Sequence, residues 1–218
     1  MIDLYLIRHG ESIRNIDPST IGGRSVTAPL TPNGENQAKC IGKQLRGVEF
    51  DKIAVSAAKR TRQTHSIAVQ EAYGDALYNG VDVKKTYYSD SILELDQGDW
   101  EGENRAEKYN DRVMRDIKRL RTDFTPPNGE SQREVGLRME NFLEWFIGYK
   151  EQDLRIALFG HGLAIKCYLQ RIMRFNEEWI FPSTVSNASI TRLQYKNGLW
   201  GLKLFNWTPH DMDRHPLH

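Results

Sequence analysis

The stretch "DLYLIRHGES", residues 3–12, decides the reading of this chain. An apolar run containing Leu4, Leu6 and Ile7 leads straight into Arg8, His9, Gly10 and Glu11. Such a run reads as a buried strand, here residues 2–8. A cation, an ionisable imidazole and a glycine then stand at its carboxyl end. In parallel sheets, ligands sit beyond the carboxyl ends of strands. Glycine there provides a turn in which backbone can approach another group closely.

A second stretch has the same form. "LRIALFGHG", residues 154–162, is an apolar strand ending in Gly-His-Gly, with a helix expected over 163–173. His9 and His161 therefore stand at equivalent strand ends, where one cleft could hold both.

The intervening chain supplies the layers of such a sheet. Residues 17–30 are rich in Gly, Pro and Ser and read as a long functional loop. Thr31-Pro32 opens a helix, with Thr as N-cap and Pro at the first position; Gly47 stops it. Residues 50–56 read as a strand, 60–73 as a helix, and 83–95 as a segment that leads through a strand to Glu94. The charged stretch 103–122 is expected to be one surface helix with a docking stripe of Tyr109, Val113, Ile117 and Leu120. "TPPNGES" breaks it. Val135, Met139, Phe142, Leu143 and Phe146 mark an amphipathic helix, and Asn197-Gly198 signals a closing hairpin. The order β-α-β-α, helices, β-α, hairpin predicts an α/β fold. The expected form is a three-layer α/β/α sandwich, its sheet mostly parallel with an antiparallel edge strand.

Composition sets bounds on function. At 218 residues the chain suits one domain, 1–218, with an expected helical cap insertion near 103–130. Its 30 basic and 29 acidic residues nearly cancel, which argues against nucleic-acid binding. No apolar run is long enough to span a bilayer. The first ten residues already form strand and motif, so no signal peptide fits. A soluble cytoplasmic protein is expected. Cys40 and Cys167 fit no metal or redox spacing and read as ordinary thiols. No metal-ligand spacing occurs, and His65, His210, His215 and His218 match no motif.

The motif residues together resemble the histidine phosphatase superfamily, which includes cofactor-dependent phosphoglycerate mutases. The resemblance runs through Arg8-His9-Gly10-Glu11-Ser12, Asn15, "GGR…APLTPNGENQA" (22–38) and "SAAKRTRQT" (56–64). It continues through "ILELDQGDWEG" (92–102), "PNGES" (127–131), "FGHG" (159–162) and "SNASI" (186–190). These stretches follow the family's order over nearly the whole chain, and the family's phosphoglycerate mutase-like fold agrees with the layers read above.

The resemblance implies a set of roles. His9 is the expected nucleophile, forming a phosphohistidine, with its second ring nitrogen fixed by a carbonyl near Gly10. Arg8 and Arg60 are the expected phosphate clamps; guanidinium keeps its charge and meets phosphate oxygens with a two-pronged fork. His161 would hydrogen-bond the transferring group. Glu94 aligns best with the family's proton donor, with Asp96, Asp99 and Glu101 as local competitors. Asn15 is either a phosphate contact or a loop cap. Gly23 and Arg24 belong to a loop near the substrate, where Arg24 could meet the phosphate or a substrate carboxylate. Asn187 is an expected supporting residue behind the site. The family needs neither metal nor cofactor, so the expected partner is a small-molecule phosphoester alone.

The same first step serves a phosphatase or a mutase. Mutases of the family resemble "RHGESxWNxxNxFTGWxDxxL". Here Ile13-Arg14-Asn15-Ile16-Asp17-Pro18 lacks the tryptophan and the second asparagine, and no Phe-Thr-Gly-Trp follows. A phosphomonoester hydrolase is therefore expected, with mutase-type transfer and a non-catalytic phosphate-binding module as alternatives. Ala58 and Ala188 stand where phosphatases of the family carry leucine and cysteine. Arg105, Lys108 and Arg112 could face an acidic substrate or only water. Oligomeric state is not encoded legibly.

Overall fold

The computed structural model describes residues 1–74, 86–148 and 153–211. The elements are β1 (Ile2–Arg8), α1 (Pro32–Leu45), β2 (Lys52–Ser56), α2 (Lys59–Tyr73), β3 (Thr86–Ser89), α3 (Arg105–Lys108), α4 (Asp111–Leu120), α5 (Gln132–Ile147), β4 (Leu154–Gly160), α6 (Gly162–Ile172), β5 (Ile190–Lys196) and β6 (Leu199–Trp207). The six strands form one sheet in the order β3-β2-β4-β1-β5-β6. The four strands from β3 to β1 run parallel, and β5 and β6 complete the other edge antiparallel. The antiparallel edge is thus two strands wide, because the Asn197-Gly198 turn returns the chain at once. Both of its residues have positive φ, as a tight hairpin turn requires.

Strand alternation builds two cores from the same segments. On one face Ile2, Leu4 and Leu6 pack with Ile156 and Leu158 against Val135, Met139 and Leu143 of α5 and Ile165 and Leu169 of α6. On the other, Tyr5 and Ile7 pack with Val55 and Phe159 against Ile41 and Leu45 of α1 and Ala68 of α2. Helices thus cover both faces of the sheet, giving three layers. Each fully buried Leu or Ile contributes roughly 2 kcal/mol of transfer free energy, so β1 and β4, apolar on both faces, anchor the sheet's centre.

Helix starts follow local chemistry. The Thr31 hydroxyl accepts the Gly34 amide at 3.0 Å, with Pro32 at the first position. Ser131 and Glu134 form a reciprocal capping box at the start of α5. The stretch 103–122 is not one helix. Asn104 caps α3, and Asn110 caps α4 by accepting the Arg112 and Val113 amides. An Asn side chain that binds the next turn's amides starts a helix afresh rather than continuing one. Over 83–95, β3 is followed by a 3-10 turn at 90–92, while residues 83–85 lie outside the described residues.

The α3–α4 segment is docked at both ends. Trp100 packs on Tyr109 and Phe124, and Arg121 pairs with Glu178. Between α4 and residues 178–182 lies a cavity of about 710 Å³, lined by Met114, Arg115, Ile117, Lys118, Phe181 and Pro182 among others. Among the described residues, no helix is long and apolar enough to cross a membrane.

Candidate active site

Parallel pairing sets Arg8 of β1 opposite Gly160 of β4, so His9 and His161 follow at neighbouring strand ends. Their ring centroids are 5.2 Å apart. Both rings are buried.

Gly10 is required by a close approach, though not the one its position suggested. A Cβ there would lie 2.4 Å from the Gly34 carbonyl oxygen in the first turn of α1. The glycine therefore packs backbone on backbone. The Gly10 amide donates to the Thr64 hydroxyl at 3.0 Å, tying the turn to α2.

The hydrogen bonds fix the proton on each imidazole. His9 Nδ1 lies 2.7 Å from the Gly10 carbonyl oxygen, which can only accept, so Nδ1 carries the hydrogen. Nε2 is left bare and accepts from Arg60 Nε at 3.1 Å. His161 Nδ1 lies 3.0 Å from Arg60 Nη2, which can only donate, so this nitrogen is the acceptor. His161 Nε2 therefore donates to the Ser56 hydroxyl at 2.7 Å. Burial first, then the Arg60 charge, lowers both imidazoles well below their ordinary value, and both are neutral at pH 7.

Arg60 reaches this point from the first turn of α2. Its remaining N–H groups donate to the carbonyls of Gly23 (3.2 Å), Arg24 (3.1 Å) and Ser25 (2.9 Å). Burial pulls its guanidinium down to about 10, so it stays cationic at neutral pH. Arg8 donates through Nη1 to the Val185 carbonyl at 2.7 Å. Its buried Nε has no hydrogen-bond partner among the described residues. Two cations thus flank two neutral imidazoles, an arrangement suited to an anionic group.

Glu94 sits at the start of α6. Its carboxylate accepts the amides of Leu163 (3.0 Å), Ala164 (2.9 Å) and its own neighbour Leu95 (3.0 Å). Its charge raises the pKa of both Arg8 and Arg60 against the effect of burial. The competing acids are engaged elsewhere. Asp96 pairs with Arg24, Asp99 accepts from Asn128, and Glu101 accepts the Arg24 and Ser25 amides.

Asn15 lies beside the turn. Its Oδ1 accepts from the Ser12 amide and hydroxyl, both 2.9 Å, and from Asn187 Nδ2 at 3.1 Å. That leaves its own N–H pair without a partner among the described residues. Asn187 Nδ2 also reaches the His9 carbonyl at 3.3 Å. The Arg24 side chain turns from the histidines to Asp96 (3.2 Å) and Glu130 (3.5 Å); only its backbone carbonyl joins the cluster, through Arg60. The structure therefore brings together Arg8, His9, Arg60 and His161, with Gly23 beside them, Asn15 behind the turn, and Glu94 at the adjoining helix start.

Sequence reasoning gave Ser56 and Thr64 no role, although both stand in the "SAAKRTRQT" stretch. Their signal was positional: Ser56 ends β2 at the same sheet end as the histidines, and Thr64 lies one turn beyond Arg60. Among the described residues, no group of three His, Cys, Asp or Glu is arranged to hold a metal ion.

Comparison with known proteins assigns the family. The family model of the histidine phosphatase superfamily, branch 1, matches residues 4–208. The chain belongs to that superfamily and is an enzyme of that class. Among curated proteins, one from Citrobacter koseri bearing the name probable phosphoglycerate mutase GpmB is 30% identical over 202 residues, 92% of this chain and 88% of the relative. Among solved structures, the phosphoserine phosphatase of Entamoeba histolytica in complex with 3-phosphoglyceric acid superimposes with a TM-score of 0.78 at 26% identity, covering 96% of this chain and 99% of that one. A mycobacterial glucosyl-3-phosphoglycerate phosphatase gives 0.75 at 21% identity, covering 94% and 98%, and shares the fold.

Proposed function

We propose that this chain is a metal-independent phosphomonoesterase that works through a phosphohistidine on a small phosphorylated metabolite in the cytoplasm. The observation that carries the reading is the His9 ring: one nitrogen is locked as N–H on the Gly10 carbonyl, and the bare Nε2 faces Arg60 beside His161.

In the first step the Nε2 lone pair forms the N–P bond while the ester P–O bond breaks. The departing alkoxide takes a proton from the Glu94 carboxyl group. Arg8 and Arg60 hold the charge on the phosphoryl oxygens, where preorganised cations lower the barrier most. His161 donates a hydrogen bond to one of those oxygens. That requires its proton to sit on Nδ1, and the Ser56 hydroxyl permits this, because it can donate to Nε2 as readily as accept from it. In the second step water attacks phosphorus, Glu94 takes a water proton, and the N–P bond breaks to release inorganic phosphate and neutral His9. Glu94 Oε2 accepts a single backbone bond, which leaves it a lone pair for that proton. Asn15, through its free amide, and the Gly23 backbone are the further phosphate contacts in this reading.

Residues 103–130 form the cap of this single domain in this reading.

The test is hydrolysis of p-nitrophenyl phosphate by the parent and by His9→Ala, with 3-phosphoglycerate and a bisphosphate primer in parallel. Hydrolysis lost in His9→Ala supports the phosphatase. Exchange between phosphoglycerates would move the reading to a mutase, which the name of the Citrobacter relative favours. Neither activity across a broad phosphoester panel would leave a binding module.

A further inference from the structure

The Arg60 guanidinium carries five N–H groups, and all five are engaged. One goes to His9, one to His161, and three to the consecutive carbonyls of Gly23, Arg24 and Ser25. The loop therefore sets which way the fork points. Three successive carbonyls turned toward one cation need something to hold the peptide from behind.

Glu101 does this. Its Oε1 accepts the Arg24 amide at 2.6 Å, and its Oε2 accepts the Ser25 amide at 3.2 Å. The loop is thus clamped between an anion on its amide side and a cation on its carbonyl side. Gly23 shows how closely Glu101 is seated. At φ +135° this residue favours glycine, and a Cβ would fall 2.2 Å from Glu101 Oε1. The Glu101 charge also supports the Arg60 cation through space.

We infer that Glu101 is a positioning residue for phosphate binding: it holds the 23–25 loop so that Arg60 stays aimed between His9 and His161. This rests on the phosphatase reading above and adds a residue to it. Glu101 touches neither histidine; its effect passes through three peptide groups and one guanidinium. A phosphate bound between the histidines takes over the Arg60 donors that rest on His9 and His161, and the carboxylate behind the loop keeps the three carbonyls on the remaining N–H groups. Loss of Glu101 would weaken the grip on the phosphoryl group without changing the nucleophile or the proton donor.

The experiment uses Glu101→Gln, which keeps side-chain volume but presents an amide N–H pair to a backbone N–H, and Glu101→Ala as the second variant. The direct probe is inorganic phosphate, its binding followed by titration calorimetry, with Arg60→Ala and the double variant completing a cycle. In both Glu101 variants the phosphate Kd and the KM for p-nitrophenyl phosphate are expected to rise about tenfold, with kcat within about threefold and the pH–rate profile unmoved. In the Arg60→Ala background the Glu101 substitutions should add nothing further. A Kd within twofold of the parent in both variants overturns the inference, as does an equal loss with and without Arg60. Either result leaves the phosphatase reading intact. A parent that binds no phosphate and hydrolyses no ester overturns that reading and this inference together.

Discussion

Arg60 donates from Nε to Nε2 of His9 across 3.1 Å, so the proposed phosphate clamp rests on the atom proposed to attack. The bond keeps Nε2 free of a proton and holds the ring in place. The neighbouring cation also works with burial to keep the imidazole well below its ordinary pKa. The proposed attack needs a neutral His9, so the acid limb of kcat/KM is expected below pH 6.5. Arg60→Ala removes one of the depressing charges. Its kcat should fall about 10²–10³-fold, and its acid limb should move upward. A limb that stays put while kcat collapses would show that Arg60 binds phosphate without tuning the imidazole.

Glu94→Gln separates proton donation from helix support. With an alkyl phosphate, whose leaving alkoxide must be protonated, kcat/KM, which reports the first step, should fall about 10²–10⁴-fold. With p-nitrophenyl phosphate the loss in kcat/KM should be much smaller, because that phenolate departs without a proton, while kcat still carries the loss of Glu94 as base of the second step. The substituted amide also meets the Leu163 and Ala164 N–H groups at the start of α6, which costs about 1 kcal/mol of stability. Equal losses of kcat/KM on both esters would reassign the proton donor.

His65 gives the fold a pH dependence separate from catalysis. It is buried on α2, edge-on to Phe159 at 5.2 Å, and neither ring nitrogen has a partner among the described residues. Burial pushes it down to about 4, against about 6.5 for an unfolded histidine. The unfolded chain therefore takes up this proton first. The contribution is whole above pH 6.5 and erodes as pH falls toward 4, by about 3 kcal/mol in all. His65→Phe should flatten that part of the stability curve, read as a smaller drop in denaturation midpoint between pH 7 and pH 5. An unchanged drop would assign it to other groups.

The layers of this fold were legible because their signals are local. Leu4, Leu6 and Ile7 announced β1, Thr31-Pro32 announced α1, and Asn197-Gly198 announced the hairpin. The stretch 103–122 misled because Tyr109, Val113 and Ile117 keep helical spacing across a break that Asn110 makes by capping. Arg8, His9, Arg60 and His161 stood out through their motifs, and the structure gathers them. Ser56 and Glu101 were not assigned these partners because theirs are a ring nitrogen fixed by another residue and two backbone amides. Neither kind of partner leaves a mark on residue identity. Gly10 signalled a close approach, but only the placement of Gly34 revealed what approaches.

Strand β1 is the first element of the chain, yet both strands beside it, β4 and β5, come from its last third. The strand end that carries His9 therefore gains both of its neighbours only when segments far along the chain have paired with it. Long-range pairing of this kind is slow and comes late. The proposed nucleophile is thereby made dependent on the completion of the whole sheet, not of its own segment alone.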